Sequence, residues 1–374
     1  MIGFDQLVFT EFDQENSVDW DAFAGASASC WAYHESDWLR TEAMLHRYRN
    51  CSYSIRVDGK IVGLVCLLVQ KKFFGLILTG PGIAADLSIF SAAALDRLFQ
   101  WIEEKACELK CLSVRLHICS FAPANHRLAY FDSPLAEHGY AFGFRGDSLD
   151  YEAGCLIIAD LARSEQQILN EFTKGNKASV KRVAKMAIAT VVSAGEYCDD
   201  RVWNDFVALN DMTMRRGGAS VPPSLYFTSL RRLLQRGQGY LFSLYRGEEC
   251  LVAIYLLGHK GIAVYESAGS TGEASKIGAL AYIHYVAMRE LKGRGFDFYC
   301  LGPDVPSAGR IKDRQISSFK KRFGNQKWDN LIGEKILAPK RYFLLVIVAG
   351  FLKGKIIPKQ MYAAVSALKR WTVG

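Results

Sequence analysis

One succession of signals occurs twice in this chain, over residues 53–117 and again over 240–301. In the first copy, residues 53–69 read as two strands around Asp58-Gly59, a strong short-range hairpin signal. A third strand over 74–79 ends in Gly80-Pro81-Gly82. A helix from about 90 to 110 follows, with Leu95, Leu98, Phe99 and Ile102 at helical spacing, and then a strand over 112–117. The second copy repeats the hairpin over 240–255 with Arg246-Gly247 at the turn. It continues with a strand over 261–269, a helix over 278–294 and a strand over 296–301. The offset is 188 residues at the turn and about 184 at the last strand. A hairpin recurs by chance, but four elements in one order at nearly one offset predict two copies of one α/β unit.

A chain of 374 residues is too long for one ordinary core and suits two domains. Half the residues are hydrophobic and 22% are charged, enough apolar material for two cores and the opposite of a disorder signature. The expected division is 1–150, 151–335 and a basic, apolar, helical C-terminal segment over 336–374. Helical stretches over 31–49 and 199–236 lead into the two hairpins. Between the copies, 151–160 reads as a strand, and Ser164 stands three residues before Gln167 in a capping-box pattern. A basic helix over 178–186 and a β-rich segment over 189–193 follow. The expected fold class is α/β (α+β), each unit a mixed, twisted sheet flanked by helices.

The net charge of +8 is unevenly placed: residues 309–370 carry 15 Lys/Arg against 3 Asp/Glu, a local +12 that leaves about −4 elsewhere. Lys174, Lys177, Lys181, Arg182 and Lys185 form a second basic cluster. A solvated face accounts for such runs, and so does an anionic partner: RNA phosphates, a diphosphate-linked substrate or anionic lipid. Segments 344–352 and 356–371 interleave apolar residues with lysines, a composition shared by interfacial helices and by helices packed on a protein body. The longest apolar run, 343–352, is about half of what a spanning helix needs. The acidic N-terminus, with Asp5, Glu11, Asp13 and Glu15, does not read as a signal peptide. Ten cysteines show no Cys-x-x-Cys pair and no zinc-ligand spacing with the seven histidines. A reduced, cytoplasmic protein without a metal is expected, with peripheral contact at the inner face of the membrane as the added implication of the basic C-terminus.

Chemistry concentrates in residues 247–324. A strand pair, a polar turn over 270–278, a helix start and a further strand make a place for an acyl donor. Unpaired N–H groups and partial positive charge at a helix start face anionic or carbonyl oxygens. No Gly-x-Ser-x-Gly elbow is present, and the close pair His117 and Cys119 sits near a strand end, so direct attack by an amine is expected rather than an acyl-enzyme. Such attack needs the reactants held together, the amine deprotonated and an oxyanion stabilised. Tyr265 and Glu266 occupy adjacent strand positions, so one of them faces a cleft. Glu266 or Asp304 can serve as the base, and Arg216 can clamp a phosphate or carboxylate through two parallel bonds. Each has a plainer alternative: Tyr265 as core, the acids as ion-pair partners, Arg216 as a helix cap.

The repeat resembles tandem GNAT-type acyltransferases, and an ordered set of strings resembles the Fem family, the aminoacyltransferases that build peptidoglycan cross-bridges. Trp31-Ala-Tyr-His-Glu-Ser-Asp-Trp38 resembles its Ser-x-x-Trp opening helix, with Ser36 one residue too close to Trp38. Leu78-Thr-Gly-Pro-Gly82 resembles its Arg-Gly-Pro turn, with Thr79 in place of Arg. Residues 174–185 resemble its basic helix, and Met212-Thr-Met-Arg-Arg216 its Thr-x-x-Arg segment. Residues 265–270, 295–302 and 319–324 follow in the family's order and spacing. The resemblance spans roughly 30–330 and lacks the family's coiled-coil arm. It implies a role for Phe319-Lys320 beside the reacting ester or donor phosphate; a surface lysine in a basic patch is the plainer alternative. The site so expected comprises catalytic Lys320, Phe319, Glu266 and Asp304, with Trp38, Thr213, Arg216, Tyr265, Ser267, Lys276 and Gly278 binding substrate.

What the resemblance implies is transfer of an aminoacyl group from aminoacyl-tRNA to an amine of a peptidoglycan or other cell-envelope precursor, UDP- or lipid-diphosphate-linked, with no permanent cofactor. The first alternative is an acyl-CoA-dependent N-acyltransferase acting on a sugar amine of a polysaccharide or nucleotide-sugar precursor. Against it, the loop over 273–280 departs from the pyrophosphate pattern Arg/Gln-x-x-Gly-x-Gly/Ala: no Arg or Gln stands three before Gly278, and Leu280 stands two after it. An alternative of another class is a non-catalytic RNA- or membrane-binding protein on a degenerate transferase fold.

Overall fold

The computed structural model describes residues 2–13, 15–27, 29–72, 75–86, 89–119, 139–142, 155–195, 198–304, 311–324 and 326–352. The chain divides into two compact units, Met1–Gly154 with Asn330–Gly374, and Cys155–Asp329. The first holds strands β1 (Val8–Glu11), β2 (Arg49–Asn50), β3 (Tyr53–Val57), β4 (Lys60–Lys72), β5 (Gly75–Ala85), β6 (Cys111–Cys119) and β7 (Ala141–Phe142). The second holds β8 (Cys155–Asp160), β9 (Ala189–Ala194), β10 (Gly239–Arg246), β11 (Glu249–His259), β12 (Ile262–Ser270) and β13 (Phe298–Pro303). The last strand, β14 (Gln326–Ile336), is divided: its first four residues pair with β8, and its remainder pairs with β6.

Both units carry the predicted repeat. In the first, β3 and β4 form a hairpin whose turn residues Asp58 and Gly59 both take positive φ (49° and 78°), the twist a two-residue hairpin requires. β5 returns antiparallel to β4, the helix Ala92–Glu108 crosses over, and β6 lies parallel to β5 over Leu76↔Cys111, Ile77↔Ser113 and Leu78↔Val114. That helix starts at Ser91, whose hydroxyl accepts from the Ala94 N–H, and buries Leu95, Leu98, Phe99 and Ile102. In the second unit β10, β11 and β12 run antiparallel in turn, and β13 lies parallel to β12 over Ile262↔Phe298, Ala263↔Tyr299 and Val264↔Cys300. Each sheet then gains an antiparallel neighbour from outside its own repeat, Asn330–Ile336 beside β6 and β8 beside β13.

The sheet of the second unit is covered on both faces, because side chains alternate along each strand. Ile254 and Leu256 join a core with the helices Glu165–Glu171, Lys174–Val183 and Ala279–Gly293. Tyr255 points the other way, stacked on Phe206 of the helix Asp200–Arg216 and donating to the Leu230 carbonyl (2.6 Å) of the helix Ser224–Gln235.

Several boundaries differ from expectation for local reasons. The polar turn over 270–278 is a short helix, Gly272–Ile277, capped by the Thr271 hydroxyl and ended by Gly278 at φ 77°. The stretch 199–236 is two helices, because Pro222-Pro223 cannot sit within one. The basic helix opens at Lys174 rather than 178. The third strand of the first copy does not stop at Gly80 but continues to Ala85, its register shifting between Cys66 and Leu68. The second hairpin turns at Gly247-Glu248, one residue later than read. The C-terminal helix Pro339–Leu352 packs Tyr342 and Leu345 against Ile77 and Leu112 of the first unit; residues 353–374 lie outside the described residues. Among the described residues no helix is long and apolar enough to cross a membrane.

One contact places β12. Gly269 lies so close to the helix Asp200–Arg216 that a Cβ would come within 2.3 Å of the Leu209 carbonyl carbon. Gly269→Ala is expected to destabilise the fold by about 1–3 kcal/mol through overpacking against backbone. Gly272→Ala, where nothing lies within 4 Å, is expected to leave it unchanged or slightly stabilised. Urea unfolding of the two variants checks this.

Candidate active site at the fork of two parallel strands

After Val264 and Cys300 no further ladder pair joins β12 to β13. The strands part, and their facing edges offer backbone N–H and C=O groups to whatever lies between. β12 also bulges here: Tyr255 opposes Ser267 while Leu256 opposes Tyr265, so Glu266 is the extra residue. The bulge turns Glu266 and Ser267 toward the helices Asp200–Arg216 and Ser224–Gln235. Tyr265 packs on the opposite face beside His284, ring centroids 5.0 Å apart and edge-on.

The structure gathers most of the expected residues around this fork. Glu266 accepts a hydrogen bond from the Tyr226 hydroxyl (3.0 Å). Ser267 accepts from Asn210 Nδ2 (2.7 Å), which also donates to the Ala268 carbonyl (3.1 Å). The Thr213 hydroxyl accepts from the Ser270 N–H (2.9 Å) and donates to its carbonyl (3.3 Å), and Arg216 Nη2 donates to the Ser270 hydroxyl (3.3 Å). Arg216 is exposed and makes no ion pair among the described residues, whereas Arg215 is held by Asp211 (2.9 Å). Beyond β13, the helix Ile311–Lys320 returns Phe319 and Lys320. Lys320 Nζ is partly buried and donates to the Pro303 carbonyl at 3.4 Å. Burial lowers its pKa below the ordinary lysine value, although Cys300 and Asp304 draw it the other way. Asp304, 1% exposed, is engaged by the Ser317 hydroxyl and by Lys321 (2.9 Å) and Lys327 (3.5 Å). Burial would raise its pKa, but the Ser317 bond and the two cations outweigh it and hold the carboxyl below its usual range.

Two of the expected residues sit apart from this group, and a third belongs to the other unit. Gly278 is the left-handed residue joining the short helix to Ala279–Gly293; a Cβ there would overlap Ser179, and Arg182 donates to the Ile277 carbonyl beside it (2.8 Å). Lys276, two residues earlier, is exposed. Trp38 belongs to the first unit, 5% exposed and tilted against Tyr33. The side chains of His117 and Cys119 lie outside the described residues.

A strand that bulges and then parts from its parallel neighbour, with a helix starting beyond the gap, can be compared with known proteins. Residues 177–310 match the family described as acetyltransferase (GNAT) domain. No curated protein matches the chain in sequence. Among solved structures, FemX superposes with a TM-score of 0.72 at 16% identity, covering 91% of this chain and 100% of FemX. This is a Fem-like tandem GNAT fold. The C-terminal domain of a protein provisionally assigned as a lysylphosphatidylglycerol synthetase from Agrobacterium fabrum aligns with a TM-score of 0.58 at 11% identity, over 90% of this chain and 96% of that one. A tandem GNAT protein from the clavulanic acid biosynthesis pathway aligns with 0.51 at 11%, over 88% and 98%.

Within this GNAT unit, sequence reasoning overlooked three supporting residues. Asn210 is fully buried and fastens the bulged part of β12; it interrupts an apolar helix face that carries Trp203, Phe206 and Leu209, which is the signal that could have revealed it. Tyr226 holds Glu266. His284 lies fully buried on the core face of Ala279–Gly293 with Ala287, Met288 and Leu291. Its Nδ1 is 2.8 Å from the Tyr299 hydroxyl, and its ring touches Tyr265, Phe319 and Phe323, while Nε2 has no hydrogen-bond partner among the described residues. Burial pushes its pKa down to about 3, so the ring is neutral at physiological pH.

Two measurements follow from this geometry. His284→Phe removes the unpaired Nε2 but also leaves the buried Tyr299 hydroxyl without its Nδ1 partner, so it is expected to cost about 1–3 kcal/mol, while His284→Ala loses about 3–5 kcal/mol as other ring truncations do. Calorimetry on the pair separates packing from polarity. Lys320 binds its proton less tightly folded than unfolded, so its contribution makes stability rise with pH, from its depressed folded value up to the ordinary value of 10.5. Lys320→Met removes the buried charge. It is expected to exceed the natural chain in stability at neutral pH, with the gap closing as pH approaches 10.5 in a denaturation series.

Proposed function

We propose that this protein is an acyltransferase that moves an aminoacyl group from the ester of an aminoacyl-tRNA to an amine of a cell-envelope precursor. The observation that carries it is the fork, with Glu266 on one wall and the partly buried Lys320 beside the other. The acceptor amine attacks the ester carbonyl, the new C–N bond forms as the C–O bond breaks, and the leaving ribose oxygen takes up a proton. Glu266, held by Tyr226, is the better placed base, because the Asp304 carboxylate is already committed to two lysines and a serine. Lys320 offers the cation that stabilises the developing oxyanion. Arg216 and Lys276 offer positive charge for the anionic groups of donor and acceptor. An acceptor bearing UDP or a lipid diphosphate fits this charge. The names of two fold neighbours, FemX and a lysylphosphatidylglycerol synthetase, accord with aminoacyl transfer.

One observation favours the second reading, an acyl-CoA donor and a sugar amine: the family that matches residues 177–310 is described by acetyl transfer. The residues at Gly278 weigh against it. The helix Lys174–Val183 closes on that turn through Ser179 and Arg182, and the glycine and arginine of a pyrophosphate loop are missing.

The test incubates the purified chain with labelled aminoacyl-tRNAs and, separately, with labelled acetyl-CoA, in an extract of envelope precursors. Ribonuclease-sensitive labelling, falling at least a hundredfold in Lys320→Ala, is expected. CoA-dependent, ribonuclease-resistant labelling would replace the RNA donor with a thioester.

A further inference from the structure

The helix Lys174–Val183 buries Val180 and Val183 and turns its other side to solvent. Lys174, Lys177 and Lys181 lie on that side at spacings of three and four residues, and Lys185 in the turn after the helix continues the row. At 1.5 Å per residue the row is about 16 Å long. Arg182 and Lys276 flank it, Arg182 through its bond to the Ile277 carbonyl. Among the described residues none of these six cations meets a carboxylate. The acids of adjoining elements are already committed, Glu165 to Arg289, Glu171 to Arg163 and Glu273 to Arg246. Four unneutralised lysines in line on a rigid element repel one another, and a polyanion lying along them relieves that repulsion more fully than screening counterions do.

We infer that this row is the seat of an RNA duplex, contacting consecutive backbone phosphates. It rests on the RNA-borne donor proposed above and adds where the body of that RNA lies. A membrane surface fits less well, because the residues between the lysines that reach solvent are small or polar (Gly175, Asn176, Ala178, Ser179, Arg182 and Ala184), Val180 and Val183 are buried, and Met186 just past the row is a single exposed apolar side chain. The spacing also favours a charge lattice over a single phosphate group: a duplex presents a charge every ~1.7 Å along its axis, so a row of this length meets several at once.

The experiment measures binding of a fluorescent, deacylated RNA hairpin to the full chain across a potassium chloride series. The comparison is with a variant carrying Lys174→Gln, Lys177→Gln, Lys181→Gln and Lys185→Gln, and with the matching fourfold Arg variant. Each phosphate contact contributes about 0.9 to the salt slope, so the Gln variant is expected to bind with a slope shallower by about 3 to 4 and at least tenfold more weakly at intermediate salt, while the Arg variant keeps both. Unchanged slope and affinity in the Gln variant would overturn the proposal. So would RNA binding left intact while binding to phosphatidylglycerol vesicles is lost. Because the RNA carries no amino acid, the outcome is separable from the donor question. RNA binding that depends on the row without any aminoacyl transfer would remove the donor alone, and transfer from RNA that persists in the Gln variant would remove the row alone.

Discussion

Everything at the site depends on a parallel ladder that is made to stop. β12 and β13 pair over three residues and then separate, although three further residues of β13 and six of β12 remain in strand conformation. Backbone groups leave a ladder only when something else fixes the strands. On one face, Tyr265, Tyr299 and His284 fill the angle between them. On the other, Asn210, Thr213 and Arg216 hold the far end of β12 from Ser267 to Ser270, and the helix backbone seats itself directly on Gly269. The extra residue at Glu266 then turns a carboxylate out of the ladder at the place where the gap opens.

The first unit repeats the ladder and its end, parallel over Leu76 to Leu78 and no further. Beyond that point β5 carries Thr79, Gly80, Pro81 and Gly82, which supply no ionisable group. Duplication therefore preserved the frame in both units, while the groups suited to proton transfer and charge stabilisation stand in the second. A fold held by periodic apolar positions tolerates this, since the residues at a strand's open edge contribute little to its core.

What could be read from the sequence follows the range of the interactions. Turns and helix stripes are local, so the hairpins at Asp58-Gly59 and near Gly247, the stripe Leu95 to Ile102 and the order of both repeats were legible. The fork was not, because it depends on where two strands thirty-odd residues apart cease to pair. The bulge at Glu266 was hidden for a related reason: Tyr265-Glu266-Ser267 reads as plain alternation until its partner strand is known. The short helix Gly272–Ile277 was read as a turn because its polar residues and flanking glycines mimic one. Asn210 and His284 were visible as polar interruptions of apolar faces and were passed over in favour of residues in recognisable strings. Matching strings selected Trp38 as well, and it lies in the first unit, packed against Tyr33.

Three lysines meet in the segment after β13, and the fold sorts them. Asp304, almost fully buried, takes Lys321 and Lys327 and accepts from the Ser317 hydroxyl, so those two cations are paired. Lys320 is left with the Pro303 carbonyl, in surroundings dry enough to loosen its proton. A depressed lysine beside a carboxylate-bearing wall can be divided two ways, as cation and base or as amine and acid. The proposed transfer uses the first division, with Glu266 held as a hydrogen-bond acceptor by the Tyr226 hydroxyl. In the transfer proposed above, Lys320 then serves as the electrostatic partner of the developing negative charge. Its loosened proton is the consequence of burial.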